Sequence, residues 1–179
     1  MKEKIIIVNC KVPSEAYQIL SILRQNLNNK SFAISQAAVV KKESGQFLLK
    51  DGFIAGDPVE SSGWTGSLIG SLVGVLAGPL GVLLGGTVGS LIGDSMDMDE
   101  LEDNCEMLAK ACECLVDGET ALLLIAQEKN DTALAAMLKD FQISLTRLDA
   151  AEIASEIEYT EKQGYLKAEG EAPAELPCK

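Results

Sequence analysis

The chain has 179 residues, a net charge of -12 at neutral pH, 4% aromatic residues and no histidine. A surface this acidic repels phosphate backbones, and few aromatic rings are present to stack on bases, so nucleic-acid binding is excluded as a function class. The lack of histidine removes the commonest general base and the commonest metal ligand, which argues against an enzyme.

The first predicted element is a short buried strand, Ile5–Cys10. Its uninterrupted apolar run, Ile5–Val8, has four residues, whereas a secretory signal peptide needs about 7–15. The five cysteines are an odd number, and without a secretory signal we expect them to be free thiols in the reducing cytosol. The predicted location is therefore cytoplasmic, and association with the inner face of the cell membrane is left open.

Residues 1–50 are predicted to form a β-α-β-β unit, the first half of a domain. Pro13 favours the first turn of a helix, and strands are predicted over Ser31–Lys42 and Gln46–Lys50 with a tight turn between them. Strict alternation in the first of these strands would place four residues on one face of the sheet: Ala33, Ser35, Ala37 and Val39. Residues 51–63 are rich in glycine, proline and serine and are predicted to be a linker.

Residues 64–94 contain the most unusual stretch of the sequence. No charged residue occurs between Glu60 and Asp94. Glycine recurs every fourth residue in two series, and these glycines are the predicted helix-packing positions: Gly66, Gly70, Gly74, Gly78, Gly81, Gly85, Gly89 and Gly93. Glycine inside a helix is about 0.8–1 kcal/mol less favourable than alanine. Close backbone contact along one helix face is therefore expected to offset that difference.

The glycine segment is predicted to be a helical hairpin. Glycine ends helices well and proline starts them, so Gly78–Pro79 would divide the segment into helices Trp64–Ala77 and Pro79–Gly93.

Residues 97–148 are predicted to form the second half of the domain. Asp97–Glu100 resembles a capping box, and it precedes a helix that Asp117–Gly118 would end. The apolar stripe of this helix steps by three or four residues: Leu101, Cys105, Leu108, Cys112 and Leu115. Strands are predicted over Thr120–Ala126 and Ile143–Leu148.

The predicted helix between these two strands begins at Asn130–Asp131. Its apolar face would consist of Leu134, Met137, Leu138 and Phe141. Asp149 is a candidate cap for a C-terminal helix over residues 149–167, and residues 168–179 are predicted to be a disordered tail. Two β-α-β halves around an insertion predict an α+β protein, a ferredoxin-like sandwich with an inserted glycine-rich helical hairpin.

The glycine hairpin has two competing interpretations, insertion in lipid and self-association in water. Each arm would be about 20 Å long, against about 30 Å for a bilayer core, so an inserted hairpin would have to be re-entrant. Trp64 favours a membrane interface, whereas the acidic flanks lack the lysine and arginine of cytoplasmic membrane boundaries. The predicted partners are therefore other copies of the chain and, as the alternative, membrane lipid. A packed core within one chain is a third possibility.

Four stretches resemble a family of small prokaryotic proteins known as predicted membrane proteins, or as a domain of unknown function with a glycine-zipper insertion. The matching stretches are Ala37–Lys41, Gly70–Gly89 around the Gly78–Gly81 centre, Asp99–Leu101 and Thr120–Ile125. The resemblance covers Ile5 to about Leu148. It implies a ferredoxin-like domain, membrane association and a structural role related to stress, and it supplies no catalytic residue. Three cysteines, Cys105, Cys112 and Cys114, and the acidic tail depart from the pattern.

No constellation in the sequence predicts catalysis, a cofactor or a metal. Zinc ligands usually come in pairs two to four residues apart with four donors, which Cys105 and Cys112 do not provide. The acidic stretch Asp94–Asp103 lacks the spacing and the glycine of a calcium loop. The function predicted is a non-catalytic structural protein that is membrane-associated or self-assembling. The alternative is a soluble homo-oligomeric scaffold with no membrane contact, and a small-molecule sensor or enzyme on the sheet is less favoured still. The glutamates of the last helix are expected on its solvated face: Glu152, Glu156, Glu158, Glu161 and Glu169.

Overall fold

The computed structural model describes residues 2–27, 30–44, 46–56, 67–78 and 104–168, and it confirms the predicted mixed α+β class. In chain order the elements are β1 Glu3–Cys10, α1 Pro13–Gln25, β2 Phe32–Glu43, β3 Gln46–Ile54, α2 Leu68–Ala77, α3 Glu106–Cys114, β4 Thr120–Glu128, α4 Ala133–Met137, β5 Ile143–Asp149 and α5 Ala150–Ala168. The predicted second arm Pro79–Gly93, the capping box Asp97–Glu100 and the tail from residue 169 lie outside the described residues.

The five strands form one sheet in the order β3-β2-β4-β1-β5, and every neighbouring pair is antiparallel. The two central strands, β1 and β4, are apolar on both sides, and Ile5–Val8 has no exposed surface. Helices therefore cover both faces of the sheet, because an uninterrupted apolar strand has to be shielded from water on each side.

The face of the sheet that carries α1 and α4 is called the first face. Its core joins apolar residues of the sheet to one stripe of each helix: Ile6, Val8, Leu122 and Leu124 of the sheet, Ile19, Leu20 and Leu23 of α1, and Leu134 and Leu138 at α4. Both helices lie within β-α-β connections, so this face is covered by segments close in sequence to the strands beneath them.

The face that carries α2, α3 and α5 is called the second face. Its core joins the alternate residues of the same strands to three helices: Ile5, Ile7, Leu123 and Ile125 of the sheet, Ile69, Leu72 and Leu76 of α2, Leu108 and Cys112 of α3, and Ile153 and Ile157 of α5. α5 contacts both α2 and α3. The described helix of the glycine segment, α2, and the helix that follows the segment, α3, thus pack on one face against the same C-terminal helix.

Two predictions about β2 and β3 are wrong. The register of β2 against β4 shifts at Ser35, which lies between Ile34 and Gln36. This bulge turns Ala37 and Val39 to the first face, where Phe32 and Ile34 also lie, so strict alternation fails at the extra residue. β3 runs to Ile54, so residues 51–54 belong to the sheet and not to the linker.

The helix boundaries also differ in part from the prediction. α3 ends at Cys114, and Gly118 lies beyond it in a turn with φ of 84°. α4 has five residues and Thr132 precedes it without a side-chain cap, so Asn130–Asp131 does not begin it. Pro13 does open α1, as predicted, and the Asp149 carboxylate caps α5 by accepting hydrogen bonds from the backbone of Ala151 and Glu152.

Candidate helix-packing site

Helix α2 is the described part of the glycine segment, and side chains fix where it begins. Ser67 is extended, and its Oγ accepts a hydrogen bond from the Gly70 N–H at 3.0 Å. The Gln36 side chain reaches from β2 and accepts from the Ile69 N–H at 3.3 Å. These bonds satisfy donors that a helix start leaves free. The helix therefore begins at Leu68 and not at Trp64, the predicted first residue.

The inward side of α2 packs into the core of the second face. Ile69, Leu72 and Leu76 are almost fully buried there. Burying a side chain of this size contributes about 1.5–3 kcal/mol. A ten-residue helix is marginal by itself in water, so this packing holds α2 in place.

The outward side of α2 carries the glycines. Gly74 and Ala77 are the exposed positions of the helix. A Cβ atom built on Gly74 meets no heavy atom within 4 Å. Gly70 and Gly78 lie one step of four residues to either side, hence on the same side of the helix. Nothing near Gly74 in the described structure requires the absence of a side chain.

The backbone of α2 does not explain Gly74 either. Positive φ angles occur at Gly56 and Gly118 among the described glycines, and Gly74 is not one of them. Alanine is the better residue in an exposed helix by about 0.8–1 kcal/mol. Among the described residues, Gly74 is therefore an unfavourable choice on a helix face with room for a larger residue.

The eight predicted packing glycines are only partly visible. Gly70, Gly74 and Gly78 lie on α2 or at its end. The others lie outside the described residues: Gly66, Gly81, Gly85, Gly89 and Gly93.

The other end of the glycine segment returns through α3, whose first turn is held by a distant residue. Cys105 precedes α3 and makes no side-chain cap. The Glu156 carboxylate of α5 takes that role, because Oε1 accepts from the Met107 N–H at 3.0 Å and Oε2 from the Leu108 N–H at 2.7 Å. Glu156 is thus a positioning residue and does not lie on a solvated face as predicted. Its place one residue before Ile157 and three after Ile153, at the border of the apolar stripe, is the signal that could have indicated this.

The two ends of the glycine segment leave and return on the same face of the sheet. α2 and α3 both belong to the second-face core, and α5 contacts each of them. Residues 79–103 therefore connect two points on one side of the domain. A hairpin in lipid would have to enter and leave the bilayer from the same side.

The cysteines of the described residues are buried or half-buried. Burial, with Glu156 nearby, raises the pKa of the Cys105 thiol to about 11. Burial, with Glu15 nearby, does the same for the pKa of Cys10. Thiols with such values stay protonated at neutral pH and are poor nucleophiles and ligands. No group of three or more potential metal-ligating side chains occurs within the described ranges.

A cleft of about 300 Å³ lies beside the start of α2 and α5. Its polar side chains are already engaged: Lys2 lies 3.6 Å from Asp149, and Glu3 accepts a hydrogen bond from Ser35. The backbone hydrogen bonds from Ala151 and Glu152 lower the pKa of Asp149. The rest of the lining is apolar: Leu68, Ala150, Ala151 and Ala154.

In the part of the chain that the structure describes, no helix combines the length and apolar character needed to cross a bilayer. No protein-family model, curated protein or solved structure matches this chain.

Proposed function

We propose that this chain is a non-catalytic structural protein that self-assembles through its glycine segment. The observation that carries the proposal is the two-sided character of α2. One side is buried in the domain through Ile69, Leu72 and Leu76, and on the other no heavy atom of the described residues lies within 4 Å of a Cβ built on Gly74. A glycine that is unfavourable for the isolated helix and has no such contact in the described part of the domain is suited to the close approach of another helix.

The partner proposed for this surface is α2 of a second copy. The chain carries a net charge of -12, which opposes association over most of its surface. α2 has no acidic residue in its first turn and no basic residue in its last, and no charge occurs from residue 61 to residue 93. Two copies can therefore approach along this helix without bringing like charges together.

The fold proposed for the domain is a ferredoxin-like sandwich extended by β3 and interrupted by the glycine segment. The order β5-β1-β4-β2 within the sheet supports it, as do the units β1-α1-β2 and β4-α4-β5. α1 and α4 also share the first face. The insertion would then lie between the two β-α-β halves.

The direct test is the mass of the protein by light scattering in buffer without detergent. We expect a concentration-dependent multimer for the wild type and a shift toward the monomer for Gly74→Leu, because the leucine blocks backbone approach. Ser21→Leu is the matched control, since Ser21 is an exposed position of α1 on the other face of the sheet. A wild-type monomer at every concentration, or an equal effect of both substitutions, would sink the proposal.

Insertion in lipid is the other outcome to be distinguished. Flotation with phosphatidylcholine vesicles, followed by a carbonate wash, separates the two environments. We expect the multimer to remain in the aqueous fraction. Recovery of the wild type in washed vesicles, with loss of that recovery in Gly74→Leu, would assign the glycine surface to lipid instead.

A further inference from the structure

The two edges of the sheet differ in how they are protected against pairing with another strand. At the β3 edge, Asp51 pairs with Val39 and Leu49 with Val40, so Lys50 is an extra residue in a bulge. A bulge and an exposed lysine both discourage pairing with a further strand. At the β5 edge the register with β1 continues over seven positions, from Ile143 to Asp149, without a shift. The β5 edge has neither device.

The hydrogen-bond phase shows which residues of β5 face outward along the sheet. The Lys11 N–H donates to the Gln142 carbonyl at 3.4 Å. Main-chain hydrogen bonding alternates along an antiparallel pair, so Ser144 and Thr146 direct their main-chain groups toward β1. Ile143, Leu145 and Arg147 direct their N–H and C=O groups away from the sheet. Between β2 and β4, the Lys42 N–H donates to the Glu119 carbonyl. Following the alternation from β4 through β1 gives the same outward-bonding residues on β5.

The outward-bonding residues of β5 also leave apolar surface half-covered. Ile143 and Leu145 lie on the first face and are partly buried against its core. α4 has only five residues, against thirteen in α1, so this edge of the first face is less covered than the other. Leu145 thus combines partly exposed apolar surface with main-chain groups that no strand among the described residues pairs with.

We propose that β5 pairs with β5 of a second copy, antiparallel and with the twofold axis at Leu145. This register sets Leu145 opposite Leu145 and Ser144 opposite Thr146. It also sets Ile143 opposite Arg147, whose guanidinium is bonded to Glu128. An axis at Arg147 would place two guanidinium groups directly opposite, which is unfavourable. The Leu145 register forms about six main-chain hydrogen bonds and joins the two sheets into one.

The charges near β5 are compatible with a second copy. Arg147 is bonded to Glu128 at 2.8 Å, and Asp149 lies 3.6 Å from Lys2. The repulsion that remains comes from the net charge of the whole chain, -12. Since salt screens it, the β5 contact is expected to strengthen with ionic strength.

The β5 contact is independent of the proposed α2 contact. α2 packs near β3, β2 and β4, toward the other edge of the sheet. Two separate contacts between copies extend an assembly beyond a dimer. A substitution in the α2 contact should therefore leave the β5 contact intact, and the reverse.

Disulfide cross-linking of Leu145→Cys tests the register. Residues in a hydrogen-bonded antiparallel pair have Cα atoms about 5.5 Å apart, which a disulfide can bridge. Cys114, which is half-buried, and Cys178, near the end of the chain, are first replaced by serine and alanine so that they cannot form competing disulfides. In that background we expect L145C to form a covalent dimer under mild oxidation. The matched control S144C should not, because its own copy lies on a diagonal about 7–8 Å away. Failure of L145C to cross-link, or equal cross-linking of S144C, overturns the register.

Leu145→Pro tests the contact by mass. Because the Leu145 N–H faces outward, proline there removes no hydrogen bond to β1 and is tolerated on an edge strand. We expect the dissociation constant of the β5 dimer to rise at least about tenfold, a difference of about 1.4 kcal/mol. Cross-linking of L145C combined with Gly74→Leu should persist, and its loss would show that the β5 pairing depends on the α2 contact. An unchanged dimer in Leu145→Pro would exclude the β5 contact while leaving the α2 proposal standing.

Discussion

The two faces of the sheet are covered by helices that are held in different ways. On the first face, α1 and α4 lie within short β-α-β connections, and the strands beneath them are their neighbours in sequence. On the second face, α2 belongs to the glycine segment and α3 follows it, and distant side chains contribute to securing their first turns. Gln36 does so for α2 and Glu156 for α3.

The difference lies in how far along the chain the stabilising contacts reach. Local connections fix the first face because short loops carry little closure entropy. The second face depends on apolar packing and a few long-range hydrogen bonds, and its helices lead into the segment proposed to assemble.

The ion pair of the first face should show the largest effect. The Glu128 carboxylate is fully buried, bonds to Arg147 at 2.8 Å and accepts from the Leu134 N–H at the start of α4. Glu128→Ala leaves the mostly buried Arg147 guanidinium with the Asp131 carbonyl at 2.6 Å and the Asp131 carboxylate at 4.0 Å, but without its buried carboxylate partner. The free energy of unfolding is expected to fall by about 3–5 kcal/mol. Urea unfolding measures this loss. A loss below 1 kcal/mol would show that the pair adds little to the first face.

Truncation of a side chain on the inward side of α2 is expected to cause the second-largest loss of stability. Leu72 has no exposed surface, and Leu72→Ala should lower the free energy of unfolding by about 2–5 kcal/mol through lost burial and a cavity. Ala77→Ser is the matched control, because Ala77 is exposed on the same helix. Similar small losses for both would mean that α2 is not docked on the sheet.

Loss of the long-range cap on α3 should have a smaller and more local effect. Glu156→Gln keeps the side-chain shape but replaces a charged acceptor with a neutral one, so we expect a loss of about 1–3 kcal/mol. Hydrogen exchange should accelerate at Met107 and Leu108, whose N–H groups bond to Glu156. Glu158→Gln is the control, since Glu158 is exposed and pairs with Lys162. Equal exchange in both variants would remove the capping role.

The smallest expected effect is a gain in stability of the monomer and not a loss. Gly74→Ala places a methyl group in open space on an exposed helix position, so the free energy of unfolding of the monomer should rise by about 0.8–1 kcal/mol. Thermal unfolding at a concentration below the association range measures it. A destabilised monomer would indicate that Gly74 is needed inside the chain.

The sequence predicted those parts of the fold that depend on residues close together in the chain. The apolar runs at Ile5–Val8 and Thr120–Ala126 became the buried central strands, and Pro13 and Asp149 begin helices as predicted. The bulge at Ser35 was not predicted, because it depends on pairing with β4. The register is set by that partner strand and not by the order of residues within β2.

The four-residue spacing predicted that Gly70, Gly74 and Gly78 share one side of a helix, and they lie on or at the end of α2. Their role in packing between copies stays a prediction. That the helix would dock by Ile69 and Leu72 on its own sheet could not be read from the segment, since almost every non-glycine position there is apolar. The role of Glu156 depends on a contact across 48 residues, beyond the reach of any local pattern.

The most direct test of the account is the dissociation constant of Gly74→Ala by sedimentation equilibrium. If the glycine face of α2 lies between copies, the added methyl groups separate the backbones. The dissociation constant should then rise by about tenfold or more, a difference of about 1.4 kcal/mol, while the monomer becomes more stable. An association as tight as that of the wild type would contradict the account.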